Sequence, residues 1–167
     1  TRAGLDAGLK VHFRVADNLR IGLKGTYFTS SNTTGNISLT NGSQTFSGEL
    51  KDEYQVIFSG VSGAYDLSDN GSVRFGVIFS LGTCFFQNDG IFVVDTFRIN
   101  SVSYAYEIGV NIGIRLSEHL SLIGEIRYMS SVAYDLDFKN YSGNIPNLIV
   151  DSWDLRRFNI GAGLRYS

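Results

Sequence analysis

Between residues 103 and 128 the chain reads SYAYEIGVNIGIRLSEHLSLIGEIRY. Before the Ser-Glu-His turn, Tyr104, Tyr106, Ile108, Val110, Ile112, Ile114 and Leu116 share one parity, and Ser103, Ala105, Glu107, Gly109, Asn111, Gly113 and Arg115 share the other. A period of two marks a β-strand whose faces meet different solvents. The same alternation sets Leu5, Leu9, Val11, Phe13 and Val15 against Asp6, Gly8, Lys10, His12 and Arg14. It recurs with Leu19, Ile21, Leu23 and Tyr27 against Arg20, Gly22, Lys24 and Thr26, and with Phe158, Ile160, Ala162, Leu164 and Tyr166 against Arg157, Asn159, Gly161, Gly163 and Arg165. Seven strands are predicted, over roughly 3–15, 19–30, 49–67, 72–86, 101–116, 119–131 and 153–167. The third is less clean, and its upper half takes no assignment from the pattern.

Three short turns punctuate this series: RVADNLRIG (14–22), DLSDNGSVRFG (66–76) and RLSEHLSLIG (115–124). Their acids, Asp17, Asp69 and Glu118, recur at about fifty residues, so the unit is strand, tight turn, strand, long connection. Asp-Asn and Asn-Gly favour reversals that need positive φ. Longer segments at 30–48, 87–100 and 131–154 lie between the units and are expected to be loops. Short turns on one side and long loops on the other is the asymmetry of an outer-membrane barrel, which has an even strand count. The expected fold is therefore all-β, an antiparallel up-and-down transmembrane β-barrel in a single domain, 1–167. Eight strands are expected with seven visible, an N-terminal strand being absent.

Composition decides which face meets which solvent. Charged residues are 18% of the chain, with only four lysines, against about 25% in soluble domains. A soluble lipocalin-like barrel binding an apolar ligand would turn its polar face to water, and that face would carry abundant Lys, Glu and Thr. Here it is largely Gly, Ser, Ala and Asn, and glycine on a solvated strand weakens it. Inside a narrow barrel the 19 glycines make room for long Arg and Lys side chains. No apolar run is long enough for a transmembrane helix, so a membrane-spanning form must be a closed barrel. Tyr27, Tyr104, Tyr106 and Tyr128 toward the loops, with Tyr65 and Tyr166 toward the short turns, are the expected aromatic girdle. The net charge of −2 gives no nucleic-acid surface.

The stretches DLSDNGSVRFGVIFSLG and RLSEHLSLIGEIRY, closing on FNIGAGLRYS, resemble the outer-membrane β-barrel domain of OmpA/OmpX-type and opacity-like surface proteins across essentially the whole chain. The resemblance rests on alternation rather than signature residues. It implies a bacterial outer-membrane location, with the lipid bilayer and lipopolysaccharide as partners. It also implies a structural or surface-interaction role, in which loops engage a larger outer-membrane complex or an extracellular partner. Such barrels usually end in an aromatic residue, whereas this chain ends Tyr166-Ser167.

If the polar face is luminal, it carries Lys10, His12, Arg14, Arg20, Lys24, Arg74, Arg115, Arg127, Arg157 and Arg165 against Asp6, Asp66, Glu107 and Glu125. Eight strands leave only room for side chains, so these groups should interlock and plug the lumen. Glu107, Glu125 and Arg127 are the expected hub. Because cations exceed acids, the absent strand should bring inward Glu or Asp.

The alternatives are a narrow, anion-selective pore and an outer-membrane lipid-modifying enzyme. The enzyme reading would use the His119-x-Ser121 pair, but His119 falls in a short turn at the wrong end. No catalytic set, metal site or cofactor is expected. Cys84 is expected to be an inert inward-facing residue. Asp89, Asp95, Asp135, Asp137, Asp151 and Asp154 are candidate cation or partner contacts whose bland reading is solvated loop charge. The tract Ile91-Phe92-Val93-Val94 is expected to extend its hairpin above the membrane.

Overall fold

The computed structural model describes residues 4–41, 44–92, 95–140 and 152–166. These form strands and turns only: β1 (Leu5–Ala16), β2 (Leu19–Asn41), β3 (Gln44–Asp69), β4 (Val73–Phe92), β5 (Asp95–Arg115), β6 (Leu120–Tyr134), β7 (Asp137–Asn140), β8 (Ser152–Asp154) and β9 (Arg157–Tyr166). Consecutive strands pair antiparallel from β1 to β6. β7 continues along β5, and β8 and β9 pair with β6. The seven long strands occupy the seven predicted segments. β1 and β9 are the two edges of the sheet, and no ladder joins them among the described residues.

Two of the three expected loops are instead β-hairpins. β2 and β3 remain paired to Asn41↔Gln44, and β4 and β5 to Phe92↔Asp95. The Ser/Thr/Asn-rich composition of 30–48 suggested irregular chain, yet Ile37 and Leu39 sit among β-favouring threonines, and an Asn-Gly dipeptide follows at 41–42. The Ile91-Phe92 end of the apolar tract does extend its hairpin; Val93 and Val94 lie outside the described residues. In the third expected loop, β6 ends near Asp135, whose φ of 52° lies in the left-handed region that Asp tolerates. β5 then resumes pairing with β7.

The parity holds through the ladders and turns the aliphatic stripes outward. Leu9, Phe13, Leu23, Val61, Phe79, Leu81, Ile108, Ile112, Ile126, Ile160 and Leu164 are all exposed. The opposite parity is the buried one, with Lys24, Ser62, Ser80, Glu107, Asn111, Ser121 and Arg127. No soluble protein gains by this inversion, whereas a barrel in hydrocarbon requires it. Along β3 the outward apolar run from Ile57 to Leu67 rises about 25 Å at a strand tilt of about 40°, the height of a lipid-facing band. Above it the outward positions become polar: Gln55 and Glu53, Gln87 and Asp89, Asn100 and Arg98. All six tyrosines of the expected girdle face outward, Tyr128 half-covered by the Phe158 ring at 4.9 Å.

Candidate functional site: a lumen in two halves

The half nearer the short turns is ionic. Lys24 of β2 and Glu107 of β5 form a buried pair, and Lys10 of β1 meets Glu125 of β6. Arg127 joins them, with Nη1 3.4 Å from Glu107 Oε1, Nε 3.4 Å from Glu125 Oε2 and Nη2 3.1 Å from Asp6 Oδ1. Each charge thus offsets the desolvation of another, the condition on which buried ions persist. Nearer the turns, Arg20 donates to Asp66 at 2.7 Å, and Arg74 spans Asp66 at 3.6 Å and Asp69 at 2.6 Å. Asp69, which the sequence marks as a short-turn acid, accepts from the Gly71 amide at 2.9 Å and from Arg74, which together hold its carboxyl below the ordinary carboxylate range.

Glycine makes this packing geometrically possible. Lys24 is paired with Gly60, Gly60 with Gly82, and Gly82 with Ala105, so one level of the barrel is walled by backbone. A Cβ on Gly60 would lie 2.1 Å from the Leu81 carbonyl oxygen, and one on Gly82 2.2 Å from that of Ser59. At both positions a side chain would run into the backbone of the neighbouring strand.

The half nearer the long hairpins is mainly apolar, with Asp52 and Asn88 also buried on its inward face, which corrects the expectation of a polar lumen throughout. Phe28, Tyr54, Val56, Phe58, Cys84, Phe86, Phe92, Phe97, Ile99, Met129, Ala133 and Leu155 form one buried cluster. Phe28 meets Tyr54 edge-on at 6.0 Å, Tyr54 meets Phe86 at 5.1 Å, and Phe86 meets Trp153 at 5.6 Å. The sequence signal existed: Phe28, Val56, Phe58 and Phe86 stand on the polar parity of their strands, but only toward the hairpin end. In a strand reading that sorts whole faces, such local reversals look like noise. Cys84 is a buried free thiol within this cluster, inward-facing as expected.

The structure brings together Asp6, Lys10, Lys24, Glu107, Glu125 and Arg127 in one cluster and Arg20, Asp66 and Arg74 in another. Arg14 and Arg115 do not join them; both lie exposed at the short-turn rim and have no ion pair among the described residues. His12 is half-buried, with Nε2 lacking a hydrogen-bond partner. Arg157 and Arg165 lie by the β9 edge, and Arg157 covers the Phe28 ring at 4.5 Å. His119 is exposed in the turn before β6 while Ser121 is buried in the lumen, so the two point to different environments.

Of the loop acids, Asp89 is bound by Arg98, Asp137 by Lys139 and Asp154 by Arg156. Asp95 and Asp135 lie at the hairpin end, and Asp151 is outside the described residues. No group of three or more His, Cys, Asp or Glu side chains suited to a metal ion occurs among the described residues.

Solved structures with the same architecture exist. The outer membrane protease OmpT from Escherichia coli superposes with a TM-score of 0.55 at 15% identity, over 96% of this chain and 62% of that one. A major outer membrane protein from Thermus thermophilus superposes with a TM-score of 0.52 at 14% identity, over 98% of each chain. The chain therefore spans about three fifths of the length of OmpT. No family model matches the sequence, and no curated protein does. At these identities the likeness is one of fold: an antiparallel β-barrel of the outer-membrane type. The apolar band described above is the surface that such a fold turns to lipid.

Proposed function

We propose that this protein is a non-catalytic outer-membrane anchor that holds two long β-hairpins outside the bilayer for contact with another molecule. Its membrane partners are bilayer lipid and lipopolysaccharide. The hairpin contact is either a larger envelope complex or an extracellular protein, and kinship with OmpA/OmpX-type barrels belongs to this same proposal. The observation that carries it is the filling of the lumen at both levels, by ions below and by packed rings above. A lumen so occupied disfavours conduction, and specificity moves to the projecting chain. The β2–β3 hairpin continues some twelve residue pairs beyond the apolar band, about 40 Å along the strands; the seven pairs nearer the band are also flanked by β4.

The protease activity named for OmpT belongs to OmpT and gives no reason to assign one here. Planar-bilayer recording of the purified protein tests the proposal, with no stepwise conductance expected. An epitope inserted between Asn41 and Gln44 should be reached by antibody on intact cells. Regular channel openings, or an epitope seen only after permeabilisation, would overturn it.

A further inference from the structure

The two sheet edges, β1 and β9, are left facing one another without a ladder. Within hydrocarbon an unpaired strand edge is not tolerated, because no water is present to bond its bare N–H and C=O groups. Direction limits what can satisfy these edges. β1 runs into the first short turn and β9 ends level with the start of β6, so both point toward the short-turn side. Direct β1–β9 closure would therefore be parallel in an otherwise antiparallel barrel. A second copy held the same way up in the membrane would meet the same parallel mismatch. A single strand running from the short-turn side to the hairpin side is antiparallel to both edges.

Charge along the seam specifies that strand further. The Arg157 side chain is nine-tenths buried. Among the described residues its nearest carboxylate oxygen, of Asp6, is 4.0 Å away, and none of its three guanidinium nitrogens makes a hydrogen bond. Among the described residues, Arg165 Nε and His12 Nε2 are likewise buried without a hydrogen bond, and Arg14 has no ion pair. These groups fall at two levels, Arg157 toward the hairpins and Arg14 with Arg165 toward the short turns. Between them, Gly161 and Gly163 have open space where a side chain would begin.

We propose that the β1–β9 seam is a binding site for one extended acidic segment. Its lumen-facing side chains place carboxylates at the Arg157 level and at the Arg14/Arg165 level, and apolar residues alternate outward. This is strand addition at an exposed edge, with the backbone supplying affinity and the carboxylates register.

The test uses the full chain folded in phosphatidylcholine vesicles, with synthetic peptides of alternating pattern. Each peptide bears Glu, Gln or Lys at two lumen-facing positions eight residues apart. The Glu peptide should bind at least tenfold tighter than the Gln peptide, and an Arg157→Gln/Arg165→Gln variant should lose that preference. In a Cys84→Ser background, Gly161→Cys should form a disulfide with a cysteine-bearing Glu peptide. Equal binding of Glu and Gln peptides, or binding of neither, would overturn the proposal. So would an efficient disulfide between Gly8→Cys and Gly161→Cys without peptide, within one chain or between two.

Discussion

The two halves of the lumen solve one packing problem with opposite chemistry. Near the short turns, Lys24, Glu107 and Arg127 are held by one another. Near the hairpins, Phe58 and Phe86 are held by shape. An ionic cluster tolerates the loss of a whole pair far better than the loss of one member, because the survivor is a buried, uncompensated charge. An aromatic cluster has no such asymmetry; each ring removed leaves its own void.

This difference sets the largest effects expected. Glu107→Ala should destabilise the barrel by about 3–5 kcal/mol by stranding Lys24, whereas Lys24→Met/Glu107→Leu should recover most of that loss. Phe58→Ala should cost about 3–5 kcal/mol, and combining it with Phe86→Ala should deepen the loss rather than relieve it. Urea unfolding in vesicles, followed by the fluorescence of the sole tryptophan, Trp153, distinguishes the two patterns. If the Lys24/Glu107 double variant were less stable than Glu107→Ala alone, the ionic half would not be a mutually neutralised network.

The contrast between band and rim yields the next effect. Ile108→Arg places a cation on the outward face of β5 at mid-band and should cost about 2–4 kcal/mol. Asn100→Arg, outward on the same strand but in the polar region above, should be close to neutral. Equal costs at both positions would mean that no hydrocarbon boundary lies between them.

These pairs also separate what was legible in the sequence from what was not. Which face meets lipid was legible because Ile108, Val110 and Ile112 alternate with Glu107, Gly109 and Asn111 without a break. The hub at Glu107, Glu125 and Arg127 was legible because strict register in one hairpin puts them close together. Lys24 as the partner of Glu107 was not, since that contact crosses the lumen between strands that share no ladder. The aromatic half was hidden for a different reason. Phe28, Phe58 and Phe86 are apolar residues on the polar parity, and only the register of β2, β3 and β4, which sets them diagonally opposite one another, makes them neighbours. The extent of the hairpins was obscured because Ser, Thr and Asn serve exposed strands above a membrane as readily as loops.

A smaller effect separates the buried ionic cluster from its solvated edge at the Asn70-Gly71 turn. Gly71 adopts a positive φ of 84°, and Asp69 accepts its amide while also bonding Arg74. Asp69 is exposed, so its charge is screened far more than that of Glu107. Its carboxyl is held below the ordinary range, first by the Gly71 amide and then by Arg74. A carboxyl lowered on folding contributes its stabilisation fully above the unfolded value, near about 3.9, and loses it as pH falls through the lower folded value. The turn should therefore stay protected from pH 7 down to about pH 4 and loosen only in stronger acid, seen as faster amide exchange at Gly71. Asp69→Asn keeps an acceptor oxygen but removes the charge, so its acid-induced step should vanish while Glu107 and Lys24 hold the strands above in place. An unchanged acid step in that variant would assign the loosening to the buried carboxylates instead.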